Sequence, residues 1–336
     1  MNIPIFITHA GCRNDCVFCN QKIITGQSIG SDVSDMREII ESYLSYMRDG
    51  ASVNAEIAFF GGSFTGIERN LMIALLSAAA EYVEKYNLAG IRLSTRPDYI
   101  DEEILDILRR YNVTNIELGI QSLFDDVLSA CKRGCTVEQC ERACKLINSA
   151  GFGLTGQIML GLPNSNRDKD ITTAQRLADL GVQSARIYPA VILQDTELLN
   201  MYNHGEYTPI SLDEAIFRAK EIKKIFDAHN IKILRMGLCS SDNINLNSCI
   251  GPYHPAFGEL VEGELMYDKL CADIANIIAE CDDTNAPLII EARKKHISKI
   301  VGHGRKNIIR IEAKFSKNIK IVENNDINVE YNVRIG

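Results

Sequence analysis

The sequence predicts an α/β protein, a partial (β/α)6 barrel followed by a small α+β subdomain. Strand-like apolar runs alternate with helical stretches through the first two thirds of the chain. Six βα units in series require a parallel sheet with right-handed crossovers, as in a barrel or part of one. From residue 286 the pattern becomes strand, helix, turn, helix, strand. We therefore expect a barrel at residues 1–235, a connecting loop and a helix covering the barrel at 236–285, and a small basic subdomain at 286–336.

The elements of the barrel follow one another in a regular order. Apolar runs of strand length are "IPIFITH", "AEIAFF", "GIRLST", "NIELGI", "LTGQIML" and "SARIYPAVI". Apolar residues recur at helical spacing in "SDMREIIESYLSYMRD", "NLMIALLSAAAEYVEKY", "DEEILDILRRY", "FDDVLSACKRG", "TVEQCERACKLINSAG", "DITTAQRLADLG" and "SLDEAIFRAKEIKKIFDAHN". The fourth and fifth of these helical stretches lie in one crossover and predict one helix or two.

The loops after the six strands carry the unusual residues. In order they are a cysteine cluster, "GGSFT", "TRPD", "GIQS", "GLPN" and "YP". Because the carboxyl ends of parallel strands meet at one mouth of a barrel, we expect these loops to form one site.

Composition narrows the class of protein. The 336 residues are 46 % hydrophobic and 24 % charged, as in ordinary globular proteins. No apolar run is long enough to cross a bilayer, and "MNIPIFITHA" lacks a basic leader, so we expect a cytoplasmic protein that does not contact a membrane. In that compartment the eleven cysteines indicate reduced thiols and metal ligands rather than disulfides.

Three cysteines stand directly after the first strand, at Cys12, Cys16 and Cys19. A structural zinc site takes four ligands, and His9 could complete one. A cubane iron–sulfur cluster also takes four cysteines as a rule, so three of them indicate a cluster with one iron open to a small molecule. Buried thiols without a metal are the third interpretation.

This Cys-x3-Cys-x2-Cys spacing, with Phe18 before the last cysteine, resembles the signature of the radical SAM superfamily. The resemblance implies a [4Fe-4S] cluster on the three cysteines and S-adenosylmethionine at its open iron. It also implies a 5′-deoxyadenosyl radical that abstracts hydrogen from a substrate. An electron donor of the flavodoxin or ferredoxin type would be a partner.

The same resemblance implies a set of cofactor contacts. In the glycine-rich turn "FFGGSFT" they are Gly61, Gly62, Ser63 and Thr65. Ser94 and Gln121 would face the ribose and methionine portions, Arg133 the methionine carboxylate, and Gln157 stands where relatives often carry an acidic residue. For each of these residues an ordinary polar group at a strand end is the alternative.

Several longer motifs in order resemble the radical SAM portion of the Elongator catalytic-subunit family over roughly residues 1–230. They are "FFGGSFTGI", "TRPDYI", "LGIQSLFDDVL", "KRGCTVEQC", "AGFGLTGQIMLGLPN" and "ARIYPAVILQDTEL". That family modifies the wobble uridine of tRNA. The length leaves no room for its acetyltransferase-like domain, so we expect a shorter Elongator-like protein without acetyl-CoA chemistry.

Two other groups of residues are candidates for chemistry. Arg186 and Tyr188 lie at the mouth of the sixth strand, where a substrate-facing residue is expected; Tyr188 could relay a hydrogen atom or a proton, or simply pack at the core edge. The pairs Cys131 and Cys135, then Cys140 and Cys144, are spaced by four. They indicate either a second cluster or, as we favour, small buried residues on a helix face.

Charge is distributed unevenly along the chain. Residues 1–292 carry 25 basic and 40 acidic side chains, a balance of −15, whereas residues 293–320 carry ten basic side chains and one acidic, a balance of +9. Within this segment "IVGHGRKNII" resembles the turn of KH RNA-binding modules, with Arg305 at the position of the second glycine. Candidate RNA contacts are Lys299, His303, Arg305, Lys306 and Arg310. A solvated basic face is the alternative.

The sequence favours a radical SAM enzyme that acts on tRNA or another RNA. A radical SAM oxidoreductase acting on a small molecule, similar to coproporphyrinogen oxidases, is the second interpretation. The third is a non-catalytic protein that binds an iron–sulfur cluster.

Overall fold

A computed structural model of the protein describes residues 2–7, 11–12, 16–20, 23, 32–47, 54–240, 244–280 and 286–336. The chain forms two compact units, Met1–Pro255 and Ala256–Gly336. One boundary thus replaces the two expected at residues 235 and 285.

The first unit contains a seven-stranded sheet whose spatial order is the chain order. Its strands are β1 (Asn2–Phe6), β2 (Glu56–Phe60), β3 (Gly90–Thr95), β4 (Val113–Gln121), β5 (Gly153–Leu160), β6 (Ser184–Pro189) and β7 (Lys232–Met236). All neighbouring strands are parallel, which confirms the predicted fold class. The sequence analysis did not predict β7, because this edge strand is only partly buried and lacks a continuous apolar run.

Helices connect the strands. They are α1 (Val33–Ser45), α2 (Arg69–Tyr86), α3 (Glu102–Arg110), α4 (Asp125–Ala130), α5 (Val137–Ser149), α6 (Arg167–Asp179), α7 (Glu197–Asn203) and α8 (Leu212–Ala228). The two helical stretches predicted between β4 and β5 form separate helices, α4 and α5. Thr136 and Gln139 form a capping box that fixes the start of α5, so the chain breaks helicity between these two helices.

A polar network joins the strands near their amino-terminal ends. The Arg92 guanidinium on β3 contacts the Glu56 carboxylate at 3.2 Å and the Asn115 side-chain oxygen at 3.0 Å. Thr155 on β5 donates to the same Asn115 oxygen at 2.8 Å and lies 2.7 Å from the Ser184 hydroxyl on β6. These partners satisfy most of the buried polar groups of five neighbouring strands, although the Nε atom of Arg92 has no partner in the described structure. The network therefore aligns the amino-terminal half of the sheet.

A buried ion pair holds the turn after β5. The Asp170 carboxylate, 2 % exposed, accepts hydrogen bonds from the Gly161 amide at 2.9 Å and the Ser165 hydroxyl at 2.5 Å. Arg218 of α8 donates to it at 2.8 Å. The Tyr207 hydroxyl donates to the Gly161 carbonyl at 2.7 Å. Two helices and a tyrosine therefore fix the "GLPN" turn.

The second unit combines helices with a three-stranded sheet. Its elements are α9 (Phe257–Ala279), β8 (Leu288–Ala292), α10 (Lys294–Val301), α11 (Lys306–Phe315), β9 (Ile319–Glu323) and β10 (Tyr331–Ile335). The spatial order is β10-β8-β9, with β8 parallel to β9 and antiparallel to β10. The order predicted from residue 286 is present, and β10 extends it.

Helix α9 belongs to this second unit. Its residues Met266, Leu270 and Ile274 share one apolar cluster with Leu288 and Ile290 of β8. This packing explains why the boundary lies before α9 and not after it.

No helix in the described part of the chain combines the length and the apolar character needed to span a bilayer.

The ion pair at Asp170 generates a prediction about stability. Asp170→Ala leaves the Arg218 guanidinium buried beside one remaining carboxylate, and we expect it to lower the free energy of unfolding by about 3 kcal/mol. Equilibrium urea denaturation followed by circular dichroism measures this loss. The control is Asp126→Asn, which breaks the exposed pair with Lys169 and should leave the urea midpoint near that of the wild type. Equal midpoints for the two variants would contradict the role given to Asp170.

Candidate functional site

A cavity of about 420 Å³ opens in the first unit at the carboxyl ends of the strands. Residues of all seven strands or of the segments that follow them form its wall. The predicted residues in this wall are Cys12, Cys16, Phe18, Cys19, Gly61, Gly62, Ser63, Ser94, Gln121, Arg133, Gln157, Arg186 and Tyr188. The common direction of parallel strands thus brings together motifs that lie up to 176 positions apart in the chain.

The cysteine loop rests on neighbouring segments. The Val17 amide donates to the Cys131 carbonyl at 3.2 Å, and the Val17 carbonyl accepts from the Leu198 amide at 2.7 Å. The Val17 side chain packs in a small apolar cluster with Leu198. These contacts hold the two residues between Cys16 and Cys19 against the body of the unit.

The thiols of Cys12 and Cys16 have different partners. The Cys12 sulfur lies 3.3 Å from the Ser63 hydroxyl, and the Cys16 sulfur accepts from the Arg133 guanidinium at 3.5 Å. In the described part of the chain no three His, Cys, Asp or Glu side chains converge closely enough to enclose a metal ion. The three thiols therefore share one wall of the cavity without forming a closed ligand set. His9, the candidate fourth zinc ligand, lies outside the described residues.

The turn after β2 fits closely against the cysteine loop. Gly61 has φ +88°, in the left-handed region that favours glycine. A Cβ atom on Gly11 would lie 2.2 Å from the Ser63 carbonyl oxygen, so only glycine allows this approach. Thr65 does not line the cavity. Its hydroxyl donates to the Tyr99 carbonyl at 2.9 Å, and this hydrogen bond stabilises the turn.

The end of β4 is irregular where it reaches the cavity. The register with β5 shifts between Gly119 and Gln121, and Gln121 has φ +67°, a conformation that non-glycine residues rarely adopt. The Gln157 amide donates to the Gln121 oxygen at 2.8 Å. Arg133 donates to the Gly119 carbonyl at 2.6 Å, and a Cβ on Gly119 would lie 2.9 Å from that guanidinium. The bulge thus turns Gln121 toward the cavity and makes room for Arg133.

Arg96, which the sequence analysis did not single out, is a buried cation in the cavity wall. It is 2 % exposed, and it donates to both Asp98 oxygens at 2.9 and 3.0 Å and to the Arg133 carbonyl at 2.5 Å. Its Nη1 atom and the Ser94 hydroxyl are buried without a hydrogen-bond partner in the described structure. Buried donors without a partner indicate a place where a ligand supplies the acceptor.

Another part of the wall carries an ion pair. The Arg186 guanidinium lies 2.9 Å from the Glu117 carboxylate, 3.4 Å from the Tyr188 hydroxyl and 5.4 Å from the centre of the Phe60 ring. Burial raises the pKa of the Tyr188 hydroxyl above its ordinary value, so this group stays protonated at neutral pH. Arg235 of β7 lines the same region. This part of the cavity can orient a polar substrate with both donors and acceptors.

The sequence analysis missed Glu117 and Arg235. Glu117, Gly119 and Gln121 stand at alternate positions of β4. Because alternate residues of a strand point to the same face, the sequence could have predicted that Glu117 lies on the same face as Gln121. Arg235 could not be placed because β7 was not predicted. Cys239, which follows β7, is a further thiol in the wall.

The four cysteines that occur in two pairs spaced by four residues lie in the core. Cys131, Cys135, Cys140 and Cys144 are at most 8 % exposed and carry free thiols. Burial raises the pKa of Cys131 and of Cys144 to about 12, so both thiols are neutral at pH 7.

The candidate RNA contacts lie in the second unit, around the turn between α10 and α11. Arg305 has φ +62° and ψ +18°, so it keeps the left-handed conformation expected of the glycine it replaces. Lys299 pairs with Glu262 at 2.5 Å, and both Lys306 and Arg310 pair with Glu264, at 3.7 and 2.5 Å. Three of the five candidate residues are therefore already bound to carboxylates of α9.

A cluster with one open iron fits the donor set of the cavity. The described wall offers three motif thiols beside partnerless donors at Ser94 and Arg96, and the glycine turn leaves space next to them. Soft thiolate ligands suit iron–sulfur clusters, while the partnerless donors suit the polar groups of a second ligand.

Two family models match this chain. The model of the Radical SAM superfamily matches residues 6–177, and that of the Radical_SAM C-terminal domain matches residues 182–267. The chain is 31 % identical over 252 residues to tRNA uridine(34) acetyltransferase of Methanocaldococcus infernus. This match covers 64 % of this chain and 47 % of that protein. It is 26 % identical over 245 residues to Elongator complex protein 3 of Schizosaccharomyces pombe, covering 61 % of this chain and 45 % of that one. The chain thus spans about half the length of the curated relatives it matches.

A solved structure shares the fold. The archaeal Methanocaldococcus infernus Elp3 with an N-terminal deletion superposes with a TM-score of 0.61 at 22 % identity, covering 80 % of this chain and 62 % of that one. The first family model spans just over half of this chain, 172 of 336 residues. The chain belongs to the radical SAM superfamily, and it is an enzyme of that superfamily with relatives that carry tRNA-modifying names.

Proposed function

We propose that the protein is a radical SAM enzyme that modifies tRNA or another RNA. Cys12, Cys16 and Cys19 would hold a [4Fe-4S] cluster, and the cavity would hold S-adenosylmethionine beside it. The observation that carries this proposal is that one cavity gathers the three motif thiols, the glycine turn and the partnerless donors. A cytoplasmic location and an electron donor of the flavodoxin or ferredoxin type belong to the same proposal.

One set of residues in the cavity would bind S-adenosylmethionine, and another would bind the substrate. When bound, the cluster supplies the electron that cleaves the sulfonium of S-adenosylmethionine into methionine and a 5′-deoxyadenosyl radical. The backbone at Gly61 and Gly62 would receive the amino group of the methionine portion. Ser94 would bind the ribose, and Arg133 and Arg96 would bind the carboxylate. The Gln121–Gln157 pair would close that side of the wall.

The Glu117–Arg186–Tyr188 group would orient the substrate. Its ion pair is shielded from water, because the Glu117 side chain is only 9 % exposed and the Arg186 side chain 16 %. Tyr188 keeps its proton at neutral pH and can donate a hydrogen bond to a group on the substrate. Apolar side chains in the same region, such as Val191 and Leu193, would exclude water from the reacting atoms.

RNA as the substrate is supported by two independent features. The curated relatives include tRNA uridine(34) acetyltransferases, and those names refer to tRNA. In the second unit, Arg305 preserves the backbone of a turn that resembles the KH loop and presents an exposed cation there. A small-molecule substrate has no comparable feature in its favour.

The cluster assignment predicts the outcome of reconstitution. Prepared without oxygen, the wild type should bind about four irons per chain, and it should release 5′-deoxyadenosine when reduced in the presence of S-adenosylmethionine. Cys16→Ala should lose the iron and reduce this product to background, because a motif ligand is removed. Iron and sulfide assays and chromatography measure both quantities.

The control for this experiment is Cys239→Ala, which removes a cavity thiol outside the motif and should keep about four irons per chain. Full iron content in Cys16→Ala would refute the assignment. About eight irons in the wild type would show that a second cluster exists. A rise in 5′-deoxyadenosine on addition of tRNA, but not of porphyrinogens, would distinguish an RNA substrate from a small-molecule one.

Arg305 allows stability and RNA binding to be separated. Arg305→Gly should raise the free energy of unfolding by about 1 kcal/mol, because glycine adopts the left-handed conformation without strain. The same change should weaken the binding of tRNA and reduce its salt dependence, because one phosphate contact is lost. Thermal unfolding and fluorescence anisotropy at several salt concentrations measure the two effects.

Arg305→Lys serves as the matched variant, since it keeps the charge and the strain and should bind tRNA nearly as the wild type does. Undiminished tRNA binding by Arg305→Gly would exclude the turn as a phosphate contact.

A further inference from the structure

The basic segment of the second unit is not a free cationic surface. Taken alone, residues 293–320 carry ten basic side chains and one acidic, but the whole unit from Ala256 to Gly336 carries 12 basic and 13 acidic, a net charge of −1. Helix α9 supplies part of the compensating charge. Two of its carboxylates, Glu262 and Glu264, reach the helices that flank the turn at residues 302–305.

These two carboxylates bind three of the candidate RNA contacts. Glu262 lies 2.5 Å from the Lys299 ammonium, and Glu264 lies 2.5 Å from the Arg310 guanidinium and 3.7 Å from the Lys306 ammonium. Arg310 also stacks on the Tyr267 ring, at 3.7 Å from its centre. In these pairs the carboxylates occupy the positions at which the three cations would receive a phosphate.

The tightness of these pairs differs. Glu264 is 17 % exposed and Arg310 34 %, so this pair is shielded and also held by the aromatic ring. Lys306 is 52 % exposed and meets Glu264 at a longer distance, so it can turn toward solvent. Arg305, by contrast, is exposed and forms no ion pair in the described part of the chain. A phosphate would meet Arg305 first and would have to compete with carboxylates for the other cations.

We propose that Glu262 and Glu264 determine the specificity of this unit for its polyanion by competing with phosphates for Lys299, Lys306 and Arg310. This inference rests on the proposed RNA function and deepens it. Because phosphate contacts alone carry no sequence information, a surface with all its cations free would retain any RNA. With two carboxylates in place, the unit would retain only an RNA that makes additional contacts elsewhere on the protein.

The test compares Glu262→Gln/Glu264→Gln with the wild type in the full chain. Two probes are used in fluorescence anisotropy, a 20-nucleotide oligouridylate and an unmodified tRNA transcript, each over a range of salt concentrations. The variant should bind the oligouridylate about tenfold more tightly at low salt. The slope of log affinity against log salt should steepen by about 0.7 for each released cation.

Glu330→Gln is the matched control. It removes one negative charge from the same unit, as Glu264→Gln alone does, and half of what the double variant removes. It frees Lys269 and His296, and His296 lies in the first turn of α10, away from the turn at 302–305. Its affinity for the oligouridylate should stay within about twofold of the wild type. Thermal unfolding shows whether each variant is folded. If the double variant is unfolded, Glu264→Gln alone takes its place in the test.

The outcomes separate this inference from the proposed function. Tighter oligouridylate binding by the double variant, with an unchanged control, supports competition by the two carboxylates. If the double variant and the wild type bind the oligouridylate with equal affinity, and the wild type binds tRNA, the competition is overturned but the RNA function stays intact. An equal gain from Glu330→Gln also overturns it, because net charge would then explain the effect. Failure of every form to bind either RNA overturns the RNA function and this inference together.

Discussion

The common direction of the seven strands is the constraint on which the site depends. In a parallel sheet, every strand must begin at one edge and end at the other, and the crossover helices must cover the faces. The segments that leave the strands therefore meet at one edge, whatever their distance along the chain. Cys12 and Arg186 share a cavity wall for this reason, although no local interaction connects them.

The polar residues of the first unit follow this division between the two edges. Near the amino-terminal ends, Arg92 and its partners form a network whose groups mostly satisfy each other, and such a network stabilises the sheet. Near the carboxyl ends, Ser94 and Arg96 keep buried donors without partners, and Gln121 keeps a strained backbone. Unsatisfied donors and strain cost stability, and in the cavity wall a bound ligand can offset that cost.

The second unit shows how folding changes the meaning of a charge pattern. The basic segment is contiguous in sequence, whereas the carboxylates that neutralise part of it lie 37 to 46 positions earlier on α9. Net charge along a segment therefore overestimates the field that a polyanion would encounter. At the turn itself, Arg305 adopts the left-handed conformation at some cost in strain.

Local patterns in the sequence were enough to determine the fold class, the order of the first six strands and the residues of the cysteine motif. Hydrophobic periodicity and residue spacing are local properties, and the rule that parallel strands end together extends them to a common site. Most of the residues predicted from the motifs accordingly line one cavity, while Thr65 faces away from it.

The tertiary structure alone decided the partners of each charged side chain. The Glu117–Arg186 pair joins residues 69 positions apart, Arg96 contacts the backbone of Arg133, and α9 supplies Glu264 to Arg310. Such pairings depend on which faces of distant elements meet, and this is set by packing of the whole unit rather than by any stretch of sequence.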